Sequence, residues 1–152
     1  MVISARDLKL QQKYPQILKN LGGNPKETCM SAGHGGIAIG DGWIPLLENL
    51  FHFCQFHHDN NGYPQLVADQ IEERFGTLHF YYHFEECTSK TSINTKQYKR
   101  TSEKLEGAIA FAEALSAQIC EKCGTAKKVH DSFWRTSLCP TCLEDSINGE
   151  SN

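Results

Sequence analysis

The chain has 152 residues, of which 39% are hydrophobic and 22% are charged, a composition typical of a soluble globular protein with one domain-sized core. No apolar run is long enough to span a membrane, and the N-terminus lacks the apolar block of a secretion signal, so we expect a cytoplasmic protein without a membrane partner. The net charge is −3; residues 41–86 hold eight acids and one base, whereas bases dominate residues 88–104. This distribution argues against a large duplex-binding face.

The first predicted element is a helix over residues 5–21 with one apolar face. Pro15 lies inside this helix and predicts a break. The sequence GGNP at residues 22–25 ends it. A glycine-rich stretch follows over residues 26–42, with a short strand predicted at residues 37–39.

A second helix is predicted over residues 43–57, with Asp41 as its N-cap. Residues 57–64 are rich in Asn, Gly and Pro and predict a loop. A third helix is predicted over residues 64–75 because a proline suits its first position, and Gly76 would end it in a left-handed conformation.

The most regular strand pattern covers residues 77–85, where large apolar residues alternate with polar ones. The polar residues 88–102 predict a loop, and residues 103–119 predict a helix with one apolar face. The acidic residues after the last cysteine are expected to form a frayed tail.

These elements predict an α+β fold in which helices pack on a small antiparallel sheet and a four-cysteine zinc ribbon closes the C-terminal end. The expected parts are a body over residues 1–118, the ribbon over residues 119–143, packed on the body, and a flexible acidic tail over residues 144–152.

Two CxxC pairs separated by fifteen residues form the strongest chemical motif, and they comprise Cys120, Cys123, Cys139 and Cys142. Each pair can form a tight knuckle that presents two thiolates to one tetrahedral Zn²⁺. Four protein ligands leave no open position, which indicates a structural rather than a catalytic zinc. The alternatives are reduced structural cysteines without a metal, and an iron or redox site.

The glycine-rich stretch contains the sequence GHGGIA at residues 33–38, which formally matches GxGxxA. A dinucleotide fingerprint needs a strand before it and a helix directly after it, and both are missing here. The following GDGW segment, residues 40–43, is predicted to be a structural turn that starts a helix. The loop before it contributes His34 as a candidate ligand contact.

A set of aromatic and basic side chains is predicted to bind a ligand, because aromatic faces can stack on a base while Arg and Lys bind phosphate. The set comprises His34, Trp43, Arg74, His79, Tyr81, His83, Lys99, Arg100, Trp134 and Arg135. No nucleophile motif such as GxSxG occurs, so we assign no catalytic residue.

Several short motifs occur in a distinctive order: KYP at 13–15, GDGW at 40–43, QIEERFGTLHFYY at 70–82, AEALS at 112–116 and ICEKCG at 119–124. Together with a Trp-x-Thr before the last cysteine pair, they resemble a family of small phage and prophage proteins that are described as hypothetical. The resemblance implies a phage origin and a C-terminal zinc ribbon. The family's central motif is similar to KEKFGxLRFY, and His79 stands where that motif has arginine.

We therefore predict a non-enzymatic, zinc-stabilised phage accessory protein that acts by binding in the host cytoplasm. Its partner would be a nucleotide signal or a host protein, sequestered to antagonise host defence. One alternative is a nucleic-acid-binding regulator that uses the zinc ribbon and the basic loop. Another is a metal- or His-dependent hydrolase or nuclease using His79 and His83. Homo-oligomer formation is left open.

Overall fold

The computed structural model of the protein describes residues 3–23, 37–85, 95–127 and 136–149. In these ranges, four α-helices accompany a two-stranded antiparallel sheet, which confirms the predicted α+β class. The elements are α1 (Ala5–Lys13), a 3₁₀ turn (Asp41–Trp43), α2 (Ile44–Asn61), β1 (Leu66–Arg74), β2 (Thr77–Phe84), α3 (Thr95–Ser116) and α4 (Pro140–Gly149). None of the described helices is both long and apolar enough to cross a membrane.

The sheet is a hairpin in which β1 pairs with β2 from Leu66–Phe84 at the open end to Arg74–Thr77 at the tip. The two tip residues, Phe75 and Gly76, both have positive φ angles, 53° and 82°. Such a two-residue turn matches the right-handed twist of the strands that it joins.

The helix predicted over residues 64–75 is wrong, because β1 occupies this segment. Val67, Ile71 and Phe75 are four residues apart, which imitates a helical face. Pairing with β2 overrides that local pattern, because it supplies hydrogen-bond partners for the backbone of residues 66–74. Gly76 is left-handed as predicted, but it closes a hairpin turn and not a helix.

Two neighbouring segments cover the edges of the hairpin. On the β1 side, the Ala38 amide donates to the Ile71 carbonyl (2.9 Å), and the Glu73 amide donates to the Ala38 carbonyl (3.1 Å). The short strand predicted at residues 37–39 is therefore a single bridge at Ala38.

On the β2 side, α3 supplies side chains to the outward amides. Leu78 N donates to Ser116 Oγ (2.8 Å), and Phe80 N donates to Glu113 Oε1 (2.8 Å). Covered edges protect a small sheet from pairing with other chains.

The main core lies where α2, α3 and the inner face of the hairpin meet. Its largest fully buried side chains are Trp43, Phe51, Leu47, Leu66, Ile71, Leu78 and Leu105. Residues 14–21 add Tyr14, Ile17, Leu18 and Leu21 to this core after α1 has ended at Lys13. The predicted break at Pro15 is therefore confirmed.

Three predicted boundaries need correction. The helix α2 extends to Asn61, where Gly62 ends it with a φ of 66°, so most of the predicted loop at 57–64 is helical. The helix α3 begins at Thr95, inside the predicted loop at 88–102. The helix α4 replaces much of the predicted frayed tail, because Pro140 suits the first helical position and the second cysteine pair anchors this end.

Candidate functional site: the four-cysteine centre and the hairpin surface

The four predicted metal ligands converge at the C-terminal end of the fold. The Sγ atoms of Cys120, Cys123, Cys139 and Cys142 all lie within 4.8 Å of one another, and only Cys123 among them is exposed. Cys123 Sγ and Cys139 Sγ are 3.8 Å apart, and metal–sulfur bonds of about 2.3 Å in a tetrahedron place ligands about 3.8 Å apart. The cluster could therefore hold one metal ion.

A tight knuckle presents the first cysteine pair. The Gly124 amide donates to the Cys120 carbonyl, and the Cys120 amide donates to the Thr125 carbonyl, each at 2.8 Å. Gly124 has a φ of 75°, which favours glycine at the turn. The knuckle continues into a bridge between Ile119 and Ala126.

The second cysteine pair lies at the start of α4, and not in a second knuckle as the sequence analysis predicted. Cys139 directly precedes this helix, and Cys142 lies in its first turn. The Cys139 amide also points at the opposite ligand, donating to Cys120 Sγ at 3.2 Å. This amide stabilises the Cys120 thiolate.

The ionisation of the thiols depends on their mutual contacts. A hydrogen bond with the Thr125 hydroxyl is the main cause that lowers the pKa of Cys123 to about 6. Burial disfavours the Cys120 thiolate, but backbone amides, including that of Cys139, outweigh it and lower the pKa of Cys120. Hydrogen bonding with Cys139 raises the pKa of Cys142 to about 12. Four thiolates at these distances repel one another, so full ionisation of the cluster needs a cation.

The GDGW segment packs directly against the knuckle. The Gly42 amide donates to the Glu121 carbonyl (2.7 Å), and the Gly40 amide donates to the Glu121 side chain at Oε1 (2.7 Å). The Trp43 indole donates to the Ile119 carbonyl (2.8 Å). The segment therefore joins the core to the four-cysteine centre, in addition to starting a helix as predicted.

Close packing explains both glycines of this segment. A Cβ at Gly42 would lie 2.2 Å from the Cys120 carbonyl oxygen and 2.4 Å from the Gly124 amide nitrogen. A Cβ at Gly40 would lie 2.5 Å from the Glu121 carbonyl oxygen. All these atoms belong to backbone, so they cannot move aside as a flexible side chain would.

The helix α1 holds the same segment from its other side. Arg6 donates to the Ile37 and Ile39 carbonyls, each at 2.8 Å, and to Asp41 Oδ1 at 2.9 Å. The predicted N-cap role of Asp41 is wrong, because Trp43 occupies the N-cap position of α2 and its side chain makes no cap bond. The Asp41 carboxylate instead forms an ion pair with Arg6.

The second feature is the hairpin surface, which we define as Arg74, Phe75, Thr77, His79, Tyr81 and His83. Arg74 Nη1 donates to the Tyr81 hydroxyl at 3.2 Å. The His79 and Tyr81 rings lie 23° from parallel with centroids 6.4 Å apart. Four of the predicted ligand contacts, Arg74, His79, Tyr81 and His83, therefore belong to one surface.

Carboxylates border the hairpin surface. The His83 ring contacts Asp69 (Nδ1–Oδ1 2.8 Å), and Asp69 lies at the irregularity in the β1 register. Arg74 Nε lies 3.6 Å from Glu72 Oε1. A β-bulge commonly redirects a side chain, and here it places Asp69 beside the imidazole.

The remaining predicted contacts are not part of this surface. Trp43 is fully buried in the core, so its ring is not available to a ligand in this structure. Lys99 and Arg100 are exposed on α3, where Lys99 lies 3.9 Å from Glu103. His34, Trp134 and Arg135 lie outside the described residues.

A cleft that the sequence analysis did not predict lies between the end of α1 and the start of α2. Its volume is about 240 Å³, and its lining comprises Lys13, Tyr14, Pro45, Glu48, Asn49 and His52. An ion pair between Lys13 and Glu48 (2.9 Å) crosses it. The KYP motif supplies Lys13 and Tyr14 of this lining, but the sequence alone did not place them beside α2.

Comparison with known proteins yields no relative: no protein-family model, no curated protein and no solved structure matches the chain.

Proposed function

We propose that the chain is a non-enzymatic binding protein whose fold is stabilised by a structural Zn²⁺ at the four-cysteine centre. The observation that carries the zinc assignment is the convergence of four Sγ atoms within 4.8 Å. Four thiolates suit Zn²⁺ and leave no open coordination position for a substrate. The role of this ion would therefore be structural.

The hairpin surface is the proposed binding site. Phe75 is 76% exposed and Tyr81 is 42% exposed. The side chain of Arg74 is 50% exposed. Arg and aromatic side chains supply much of the binding energy at protein interfaces. Glu72, which pairs with His79 on this face and lies 3.6 Å from Arg74, offsets the positive charge of Arg74 and disfavours a polyanionic ligand. A protein partner fits this composition best.

The biological role follows from the motif resemblance. We propose a phage origin, and a host protein in the cytoplasm as the partner, bound to antagonise a host defence. The support is the ordered motif set together with the exposed Arg74, Phe75 and Tyr81 of the hairpin surface.

A nucleotide signal is the second candidate ligand, and the near-parallel rings of His79 and Tyr81 favour it. A base could stack on these rings while Arg74 contacts a phosphate. Thermal-shift titration with cyclic dinucleotides, ADP-ribose and mononucleotides tests this candidate. A shift that Tyr81→Ala abolishes and Phe111→Ala retains would support it. Unchanged melting with every nucleotide would remove it.

Elemental analysis of the purified chain tests the zinc assignment. We expect one zinc per chain in the wild type and loss of that zinc in Cys142→Ser. Cys54→Ser is the matched control, since Cys54 is a buried cysteine of the core outside the cluster. A folded wild-type chain without zinc, or equal zinc loss in both variants, would refute the assignment.

A further inference from the structure

The tip of the hairpin carries an unusual residue. Phe75 has a φ of 53°, and it is the one non-glycine with a positive φ among the described residues. Two-residue hairpin turns of this kind favour Asn, Asp or Gly at both positions, because a Cβ is strained in the left-handed region. A bulky aromatic residue there costs conformational free energy.

Packing among the described residues does little to compensate for this cost. Phe75 is 76% exposed, the highest value among the exposed large hydrophobic residues of the described ranges. Its ring contact is with the Arg74 guanidinium, whose central carbon lies 5.8 Å from the ring centroid. Strained residues that contribute little to the fold concentrate at functional sites.

We propose that Phe75 is the anchor through which the chain docks on a protein partner. The partner would receive the ring in an apolar pocket, while Arg74 and Tyr81 form polar contacts at its rim. This inference rests on the proposed function with a protein as the partner. It adds which residue inserts into the partner and what kind of pocket receives it.

Three observations favour this occupant. The two-residue turn is held between paired strands, so its backbone loses little freedom on binding. An exposed aromatic side chain beside an arginine is the composition of interface hot spots. Glu72 pairs with His79 on this face and lies 3.6 Å from Arg74, which disfavours a nucleic acid because its phosphates would meet this carboxylate.

The first arm of the test separates strain from packing. We expect Phe75→Asn to raise the melting temperature by about 2–4 °C, because Asn tolerates the left-handed region. The matched control is Phe111→Asn, which removes a 68% exposed phenylalanine from the helix α3 and should not raise it. A melting temperature of Phe75→Asn at or below that of the wild type overturns the strain argument.

The second arm identifies the occupant. A photoreactive benzophenone analogue of phenylalanine replaces Phe75, Tyr81 or Phe111 in the full chain, produced in its native host. Support requires a discrete protein adduct from position 75 that is absent from position 111. Excess wild-type chain must suppress this adduct, and excess Phe75→Asn must not.

The other outcomes overturn the anchor in distinguishable ways. If Phe75→Asn competes as well as the wild type, a partner binds elsewhere, and the proposed function survives without the anchor. An adduct between two copies of the chain, or with nucleic acid, would show that Phe75 contacts that molecule and not the proposed protein partner. If neither position 75 nor position 81 yields an adduct, the hairpin surface binds no protein and the proposed function fails in that form.

Discussion

Replacing Gly42 by alanine should damage the contact between the core and the four-cysteine centre. The added Cβ would lie 2.2 Å from the Cys120 carbonyl oxygen, 2.4 Å from the Gly124 amide nitrogen and 2.6 Å from the Glu121 carbonyl oxygen. To reach an ordinary contact of 3.4 Å, the two segments must separate by roughly 1 Å. A shift of this size breaks hydrogen bonds that are now 2.7–2.8 Å long.

The magnitude follows from the bonds that hold this contact. Three hydrogen bonds join residues 40–43 to the knuckle, and each contributes about 0.5–1.5 kcal/mol. Overpacking adds about 1–3 kcal/mol. We expect Gly42→Ala to lower the free energy of unfolding by about 2.5–7.5 kcal/mol, a large part of the roughly 5–15 kcal/mol typical of a small domain.

Urea unfolding in zinc-containing buffer measures the effect. The control is Gly107→Ala, at a position on α3 where a Cβ meets no atom within 4 Å. There alanine should stabilise the protein by about 0.5–1 kcal/mol through its higher helix propensity. The packing argument fails if Gly42→Ala unfolds within about 0.5 kcal/mol of the wild type.

Three further predictions concern the centre, the sheet edge and alkaline pH. Cys123→Ser should lower the melting temperature in zinc buffer, and excess chelator should abolish the difference from the wild type; a difference that persists contradicts a metal role. Ser116→Ala should cost about 1–3 kcal/mol in urea unfolding, because it leaves the buried Leu78 amide without an acceptor. Ser102→Ala should cost less, because the Ser102 hydroxyl donates to the Lys99 carbonyl within its own helix. Burial raises the pKa of Cys54 from 9.0 to about 12. The unfolded chain therefore loses this proton first, and stability falls as pH rises from 9 towards 12. Cys54→Ala should show a shallower alkaline loss, and an equal slope in both proteins would contradict the assignment.

The sequence predicted best those elements whose pattern is both long and periodic. The strand at residues 77–85 matches β2 closely, because apolar and polar residues alternate through its whole length. The helix predicted at 103–119 matches the main part of α3, because its apolar residues recur at helical spacing. The cysteine cluster was predictable because CxxC spacing dictates which side chains can share one ion.

The segment β1 was mispredicted because its identity depends on its partner. Its sequence, LVADQIEER, includes the good helix formers Ala, Glu and Arg and a Val–Ile spacing of four, which locally favour a helix. Only the adjacent β2, joined through a two-residue turn, makes the extended form favourable. The turn was hard to predict from the sequence, since phenylalanine is rare at a left-handed position.

The contact of Gly40 and Gly42 with the knuckle was not predictable from local pattern. About eighty residues separate the two segments, as in the bond from the Gly40 amide to Glu121. The pair of glycines around Asp41 did indicate an unusual backbone requirement. The requirement is for close approach and not for a positive φ, since neither glycine has one. Sequence patterns alone do not separate these two demands.

The four-cysteine centre and the core behave as one structural unit because residues 37–43 connect them. At one end of this segment, Gly40 and Gly42 bond to Glu121 beside the cluster. At the other end, Ala38 bonds to both sides of Glu72 on β1. Any metal ion that orders the knuckle would therefore also stabilise the covered edge of the hairpin. The proposed binding surface on that hairpin would then depend for its rigidity on the proposed structural ion.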